Sequence, residues 1–230
     1  DSFIMTNVNA NTNTNSNINT NVNANANINQ NVNVNQNANL NLNTNTSTPL
    51  PNSEDSDNDS LTDTEEVIYN TQENIPDTDS DGYLDGVEIE NGYNPKGSGL
   101  LTGSDLVQTY TNDIYNYSVV YPRAFLAQTT SQETKKEVIF LATTGEFIEV
   151  TIDDNPSRLS VSAWYMARFP SVDSSSLEKI TVNGLSGILS PDKLSVYLGQ
   201  DDKIYVISYD YGTKSELNFR TTFKMIYQSF

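Results

Sequence analysis

The sequence predicts an α+β fold: a C-terminal antiparallel sheet with helices packed on it, preceded by an acidic segment and an extended low-complexity tract. Three observations support this. Short runs rich in Val, Ile, Tyr and Phe recur between residues 116 and 211, most of them paired across tight turns. Two stretches, Leu159–Phe169 and Ser215–Phe230, repeat apolar residues at helical spacing. Composition also changes near residue 104, beyond which lie all but one of the Lys and Arg residues.

Residues 1–52 form the first unit. From Asn7 to Asn45 every odd-numbered residue is Asn, twenty in strict alternation with Val, Ala, Thr, Ser, Ile, Gln and Leu. Period two is the strand period, so an extended backbone puts every Asn on one face. Two outcomes compete. One is an unfolded spacer, because Asn is poor in strands and little apolar surface is available to bury. Fully extended, it would reach on the order of 130 Å at about 3.3 Å per residue. The other is an ordered β-assembly in which stacked Asn amides form ladders, with self-association through residues 7–45. A Pro-containing joint, Ser47–Ser53, follows.

Residues 53–99 carry the strongest signal. The twelve residues Asp55–Glu66 (DSDNDSLTDTEE) and Asp77–Glu88 (DTDSDGYLDGVE) place carboxylates at positions 1, 3, 5, 9 and 12 of each run. In the first loop these are Asp55, Asp57, Asp59, Asp63 and Glu66. In the second they are Asp77, Asp79, Asp81, Asp85 and Glu88. This is the spacing with which one loop wraps Ca2+: side chains at 1, 3 and 5 converge, and position 7 (Leu61, Tyr83) offers its carbonyl. Position 9 acts directly or through water, and the final Glu closes the shell. Without a cation, five carboxylates per loop repel one another. Mg2+ fits less well because it holds to a strict six-fold shell, and the chain has no His or Cys to suit a transition metal. Two Ca2+ sites are therefore expected. Gly82 supplies the sharp turn at position 6 of the second loop, whereas the first has Ser60, so the first site is expected to be the weaker or more strained.

The two DxDxDxxxDxxE loops and the tail DGVEIENGYNPKGSG resemble thrombospondin type 3 repeats, calcium-binding segments found in many bacterial surface proteins. An EF-hand fits less well, because Gly92 and Pro95 stop any helix soon after Glu88. A dockerin module also pairs two such loops, but needs longer helices after each.

Residues 100–108 read as a joint and 109–230 as a globular domain long enough for one core. Asn116–Pro122 (NYSVVYP) is a strand ending at Pro. Glu137–Ala142 and Glu146–Asp153 form a hairpin around Thr143–Gly145. Leu159–Phe169 is a short helix whose expected apolar face holds Leu159, Ala163, Met166 and Ala167, with Trp164 packed on the sheet. Lys179–Val182 and Leu185–Ser190 pair around Asn183-Gly184, and Lys193–Gly199 and Lys203–Tyr211 pair around Gln200–Asp202. The last helix keeps Phe219, Phe223, Ile226 and Phe230 on one face.

That order of elements is similar to PsbP-like domains, an α/β sandwich found in photosystem accessory proteins and bacterial exported proteins. The carrying stretches are YNYSVVYP, SAWYMARF, ITVNGLSGI and FRTTFKMIYQSF. The resemblance implies an accessory or binding role and gives no catalytic residues to carry over.

Net charge is −18, concentrated in residues 1–103, which hold 15 acidic residues and one Lys. No basic cluster exists, which argues against nucleic acid and anionic membrane surfaces as partners. A membrane is expected only through an anchor upstream of this sequence. With no His, no Cys and no GxSxG elbow, an enzyme is not expected. The acidic pairs Asp153-Asp154 and Asp201-Asp202 read as solvated strand ends. Tyr197, Tyr205, Tyr209 and Tyr211 alternate along strands, so some are expected to line a binding face for a protein or glycan ligand. Loops of this kind suit the millimolar calcium outside cells, which points to the extracellular space or cell surface. The resulting expectation is a non-enzymatic, calcium-stabilised surface protein that presents its C-terminal domain on a stalk. The alternative is a structural subunit of an extracellular fibre built on the Asn tract.

Overall fold

The computed structural model describes residues 50–230, and the alternating tract of residues 7–45 lies outside them. Helices α1 (Asp63–Tyr69) and α2 (Asp85–Glu90) each start inside one acidic loop. Strands β1 (Val107–Asn112) and β2 (Tyr117–Pro122) make a separate antiparallel hairpin. Seven further strands form one antiparallel sheet: β3 (Leu126–Thr129), β4 (Glu137–Leu141), β5 (Phe147–Asp154), β6 (Glu178–Val182), β7 (Leu185–Leu189), β8 (Ser195–Gln200) and β9 (Lys203–Asp210). Their spatial order is β3-β4-β5-β9-β8-β7-β6. Helix α3 (Val161–Arg168) lies between β5 and β6 in sequence, and α4 (Arg220–Gln228) follows β9. The fold is α+β, as the sequence predicts.

Helices cover both sheet faces, and the strand sequences record it. Central strand β9 is apolar on both faces over Ile204–Ile207, whereas β5 sends Ile148, Val150 and Ile152 into the main core and carries Glu149 and Thr151 on its other side. Along β9, Tyr205, Ile207 and Tyr209 enter the main core, while Ile204 and Val206 face α3. Edge strand β6 is largely exposed and carries Glu178 and Lys179, a pattern that discourages pairing with another edge. The Asn183-Gly184 turn sets the register of β6 on β7, with Val182 opposite Leu185.

A nine-residue helix such as α4 is not stable alone. Its apolar stripe makes it stable here: Phe219, Phe223, Ile226 and Phe230 are all buried, each contributing about 1.5–3 kcal/mol. This is the stripe expected from the sequence. For α3 the expected face is right only for Met166, and Trp164 packs on the sheet as expected. Val161, Trp164 and Tyr165 pack on Ile188, Ile204 and Val206, while Ala163, Ala167 and Leu159 are exposed. The helix begins one residue after Ser160, whose hydroxyl accepts the Ala163 N–H, so Leu159 precedes the cap. The stripe with the larger aromatic volume then faces the sheet.

The four sheet tyrosines are not the outward face that was expected. Tyr205 and Tyr209 are buried, Tyr197 stacks edge-on against Tyr165 of α3, and Tyr211 packs half-buried on the main core. Strands β8 and β9 lie between α3 and the main core, so their tyrosines have no free side. Strands β1 (VQTYTN) and β3 (LAQT) lack a strong sequence signal because they hold few large apolar residues and stay partly exposed.

The acidic segment shares the main core. Leu61, Tyr69, Ile89 and Leu101 are completely buried in the same cluster as Val119, Ile207 and Phe223. The Ser53 N–H donates to the Leu217 carbonyl at 3.0 Å, and the Leu217 N–H donates to the Pro51 carbonyl at 2.9 Å. Among the described residues no helix is long and apolar enough to cross a membrane.

Candidate metal centre

The two acidic loops adopt the same backbone turn. Position 4 is left-handed in both (Asn58 φ 63°, Ser80 φ 64°), and so is position 6 (Ser60 φ 85°, Gly82 φ 101°). Gly82 takes that conformation freely, whereas Ser60 takes it at a cost of about 1–2 kcal/mol.

The acidic side chains and the loop N–H groups hold each other. Asp55 accepts from the Asn58 N–H at 2.8 Å and the Ser60 N–H at 3.2 Å. Asp77 accepts from Asp81 at 3.2 Å and Gly82 at 2.9 Å in the second loop. At position 5, Asp59 accepts from Leu61 at 2.6 Å and Asp81 from Tyr83 at 3.0 Å. Asp57 and Asp79, at position 3, each accept the N–H two residues on. The result is two carboxylate triads, Asp55-Asp57-Asp59 and Asp77-Asp79-Asp81, each offering oxygens within 4.8 Å of one another.

Position 9 has a different task. Asp63 accepts from both the N–H and the hydroxyl of Ser56, each at 2.9 Å. Asp85 accepts from the Thr78 N–H at 2.9 Å and its hydroxyl at 2.6 Å. Both position-9 carboxylates therefore latch onto position 2 and close their loop, which suits contact with an ion through water. The sequence carried this signal, since both loops open with Asp, a hydroxyl residue and Asp, but the sequence reading missed it.

Position 12 is where the structure points most plainly to a cation. Glu66 is wholly buried and neither carboxylate oxygen has a hydrogen-bond partner. Glu88 is 6 % exposed and its Oε2 is unpartnered, as is the buried Oδ2 of Asp57. Among the described residues these are the only buried carboxylate oxygens without a partner, and all belong to the loops. Burying an unpaired carboxylate is expensive, so such atoms normally have a proton, a donor or a metal. The set is all oxygen, with a buried Glu closing each triad, which fits a hard divalent cation.

The same crowding raises the proton affinity. Burial, then the charges of Asp57 and Asp59, push Glu66 up to about 8. Burial, then Asp81 and Asp79, push Glu88 up to about 7. Burial lifts Asp59 to about 6 against the pull of the Leu61 and Gly86 N–H groups. Asp57 and Asp85 are also raised by burial. A carboxyl raised in the folded state stabilises most below its unfolded pKa, and that contribution fades as pH rises through the folded value. In chelator, melting temperature should therefore fall from the unfolded carboxyl values, 3.8 for Asp59 and 4.5 for Glu88 and Glu66, up to the folded values of about 6, 7 and 8. Calcium needs the deprotonated form, so the gap between calcium and chelator melting curves should widen over that range. Scanning calorimetry in both conditions checks it, and a gap that narrows with rising pH contradicts the assignment.

Two residues that sequence reasoning did not single out join the loops to each other and to the domain. Gly86 donates its N–H to Asp59 Oδ2 at 3.0 Å. A Cβ there would lie 2.4 Å from the Asp59 carbonyl oxygen, so only Gly lets α2 sit against the first loop. Glu65 is fully buried. It completes a capping box with Thr62 on α1 and also accepts the Thr222 N–H, in the first turn of α4, at 2.6 Å. Phe219, the N-cap of α4, has no side-chain cap of its own, so Glu65 supplies one from more than 150 residues away. Around it, Thr62 donates to the Asn218 carbonyl at 2.7 Å, Thr221 donates to the Ser60 carbonyl at 2.5 Å, and the Tyr69 and Thr222 hydroxyls meet at 3.1 Å. Lys224 pairs with Glu90.

Elsewhere the acidic pairs are surface features. Asp154 pairs with Lys136 and Lys203, Asp153 with Arg168, and Asp202 with Lys203.

No family model and no curated protein matches the chain. Among solved structures it is similar to cyanobacterial PsbP (CyanoP) from Synechocystis sp. PCC 6803, with 17% sequence identity and a TM-score of 0.39. The match covers 59% of this chain and 97% of that one.

Proposed function

We propose that this chain is a non-enzymatic, calcium-stabilised extracellular surface protein, in which residues 109–230 present a binding surface and residues 1–52 serve as a stalk. The reading rests chiefly on Glu66, a buried carboxylate with both oxygens unpartnered beside a convergent triad of aspartates. Asp55, Asp57, Asp59, Glu66 and the Leu61 carbonyl would hold one ion, with Asp63 acting through water. Asp77, Asp79, Asp81, Glu88 and the Tyr83 carbonyl would hold the second, with Asp85 in the corresponding role. The bound ion supplies positive charge that cancels the repulsion among these groups. The loop spacing supports kinship with thrombospondin type 3 repeats. Millimolar affinity would suit a protein exposed to extracellular calcium.

The ligated form binds only when folded, so calcium stabilises it by mass action. Limited proteolysis should show strong protection across Asp55–Glu90 in millimolar calcium and rapid cutting there in chelator. Equal cleavage in both would sink the proposal.

The strict Asn alternation favours a second reading, a subunit of an extracellular fibre. It expects the full chain to assemble and a chain beginning at Ser47 to remain monomeric in sedimentation velocity. If the shortened chain assembles equally well, the Asn tract is not the fibre core.

A further inference from the structure

The two loops match in spacing but differ in setting, and the difference opposes the one expected from Ser60. In the first loop Asp59 and Glu66 are completely buried. In the second, Asp81 and its neighbours through Leu84 are exposed, Tyr83 at 63 %. The first loop holds three of the unpartnered buried carboxylate oxygens, both from Glu66 and one from Asp57, and the second holds one, from Glu88. Charges interact more strongly where water is excluded, so a cation gains more in the first loop.

The first loop is also held in its binding shape by the rest of the protein. The Ser60 carbonyl accepts the Thr221 hydroxyl, which fixes the strained residue from outside. Thr62 is tied to Asn218, Glu65 to Thr222, and Ser53 to Leu217. Together these bonds offset the strain of the left-handed Ser60. Residues Ser80–Leu84 of the second loop, although Gly82 turns freely there, are exposed and lack ties of this kind to the domain. A loop already in its bound conformation gives up less freedom on binding.

We infer that the first loop is the tighter calcium site and an integral part of the C-terminal fold, and that the second is a weaker, exchanging site on the outer side. This rests on the calcium reading above. Ion loss from the first loop exposes Glu66 to uncompensated repulsion next to Glu65, the residue that caps α4. Ion loss from the second leaves a single unpartnered Glu88 oxygen and otherwise falls on the exposed turn Ser80–Leu84.

The test is calorimetric titration of the full chain with CaCl2, comparing wild type with Glu66→Gln, Asp57→Asn, Glu88→Gln and Asp79→Asn. Domain unfolding is followed in millimolar calcium through Trp164, the single Trp, which α3 packs against the sheet. Wild type should bind in two steps separated by about tenfold or more. Glu66→Gln and Asp57→Asn should remove the tighter step and lower the Trp164 unfolding midpoint. Glu88→Gln and Asp79→Asn should remove only the weaker step and leave the midpoint nearly unchanged. Asp57→Asn is nearly isosteric and half-exposed, so it keeps the test informative if Glu66→Gln folds poorly. Loss of the tighter step in the second-loop variants, or equal losses from both loops, overturns the inference while leaving calcium binding intact. A wild type that binds no calcium overturns the calcium reading itself.

Discussion

Glu65→Ala should destabilise the whole described unit by about 3 kcal/mol, the order expected when a buried, hydrogen-bonded carboxylate is deleted and its donors are stranded. The Thr222 N–H, bonded at 2.6 Å, and the Thr62 N–H, at 3.2 Å, would both lose their acceptor. The two are buried on different elements, α4 and the entry to α1, so no single relaxation rescues both. At roughly 2–4 °C per kcal/mol for a chain of this size, the melting temperature should drop by about 6–12 °C. Glu65→Gln should cost less, because one oxygen still reaches Thr222. The check is the unfolding midpoint read by Trp164 fluorescence together with backbone circular dichroism. If the acidic segment unfolds in Glu65→Ala while the Trp164 midpoint stays put, Glu65 holds only its own segment.

Gly86→Ala should be comparably damaging for a steric reason. The new methyl would meet the Asp59 carbonyl oxygen at 2.4 Å and the Leu61 nitrogen at 3.0 Å. Both are backbone atoms of the first loop and neither can swing aside. Overpacking of this kind costs about 1–3 kcal/mol. It should also weaken calcium binding, because moving α2 breaks the 3.0 Å bond from the Gly86 N–H to Asp59 Oδ2. Titration with calcium should show the first loop weakened by about tenfold or more, since that carboxylate loses its alignment. Unchanged affinity would mean that α2 shifts as a rigid body without disturbing Asp59.

Most of the sheet was legible because its strands and turns are local signals. Val138 to Phe140 and Ile204 to Tyr209 announce buried strands, and Asn183-Gly184 announces its turn. The face of α3 was not, because Leu159 and the alanines fit a helical stripe as well as Val161, Trp164 and Tyr165 do. Only the sheet beneath decides between them. Strands β1 and β3 owe their place to tertiary pairing with β2 and β4 rather than to apolar content.

The candidate centre divides in the same way. Ligand positions 1, 3, 5 and 12 follow from spacing alone, so the two triads could be named from the sequence. What holds them could not. Glu65 differs from Glu66 by one residue, yet one faces α4 and the other the aspartates, a choice made by the turn of α1. Gly86 is one of several glycines in the segment, and its close neighbour lies 27 positions upstream. Ser60 looked like a weakness because the hydroxyl that steadies it belongs to Thr221.

The separation of 157 positions between Glu65 and Thr222 bears on the order of events during folding. On a growing chain both acidic loops are made long before the helix that completes their support. Such distant contacts form late, after the sheet has paid for most of the loop closure. Interactions absent from the transition state govern how fast a protein comes apart rather than how fast it assembles. The link between Glu65 and α4 is thus expected to act as a clasp fastened last, so that its loss should speed unfolding more than it slows folding.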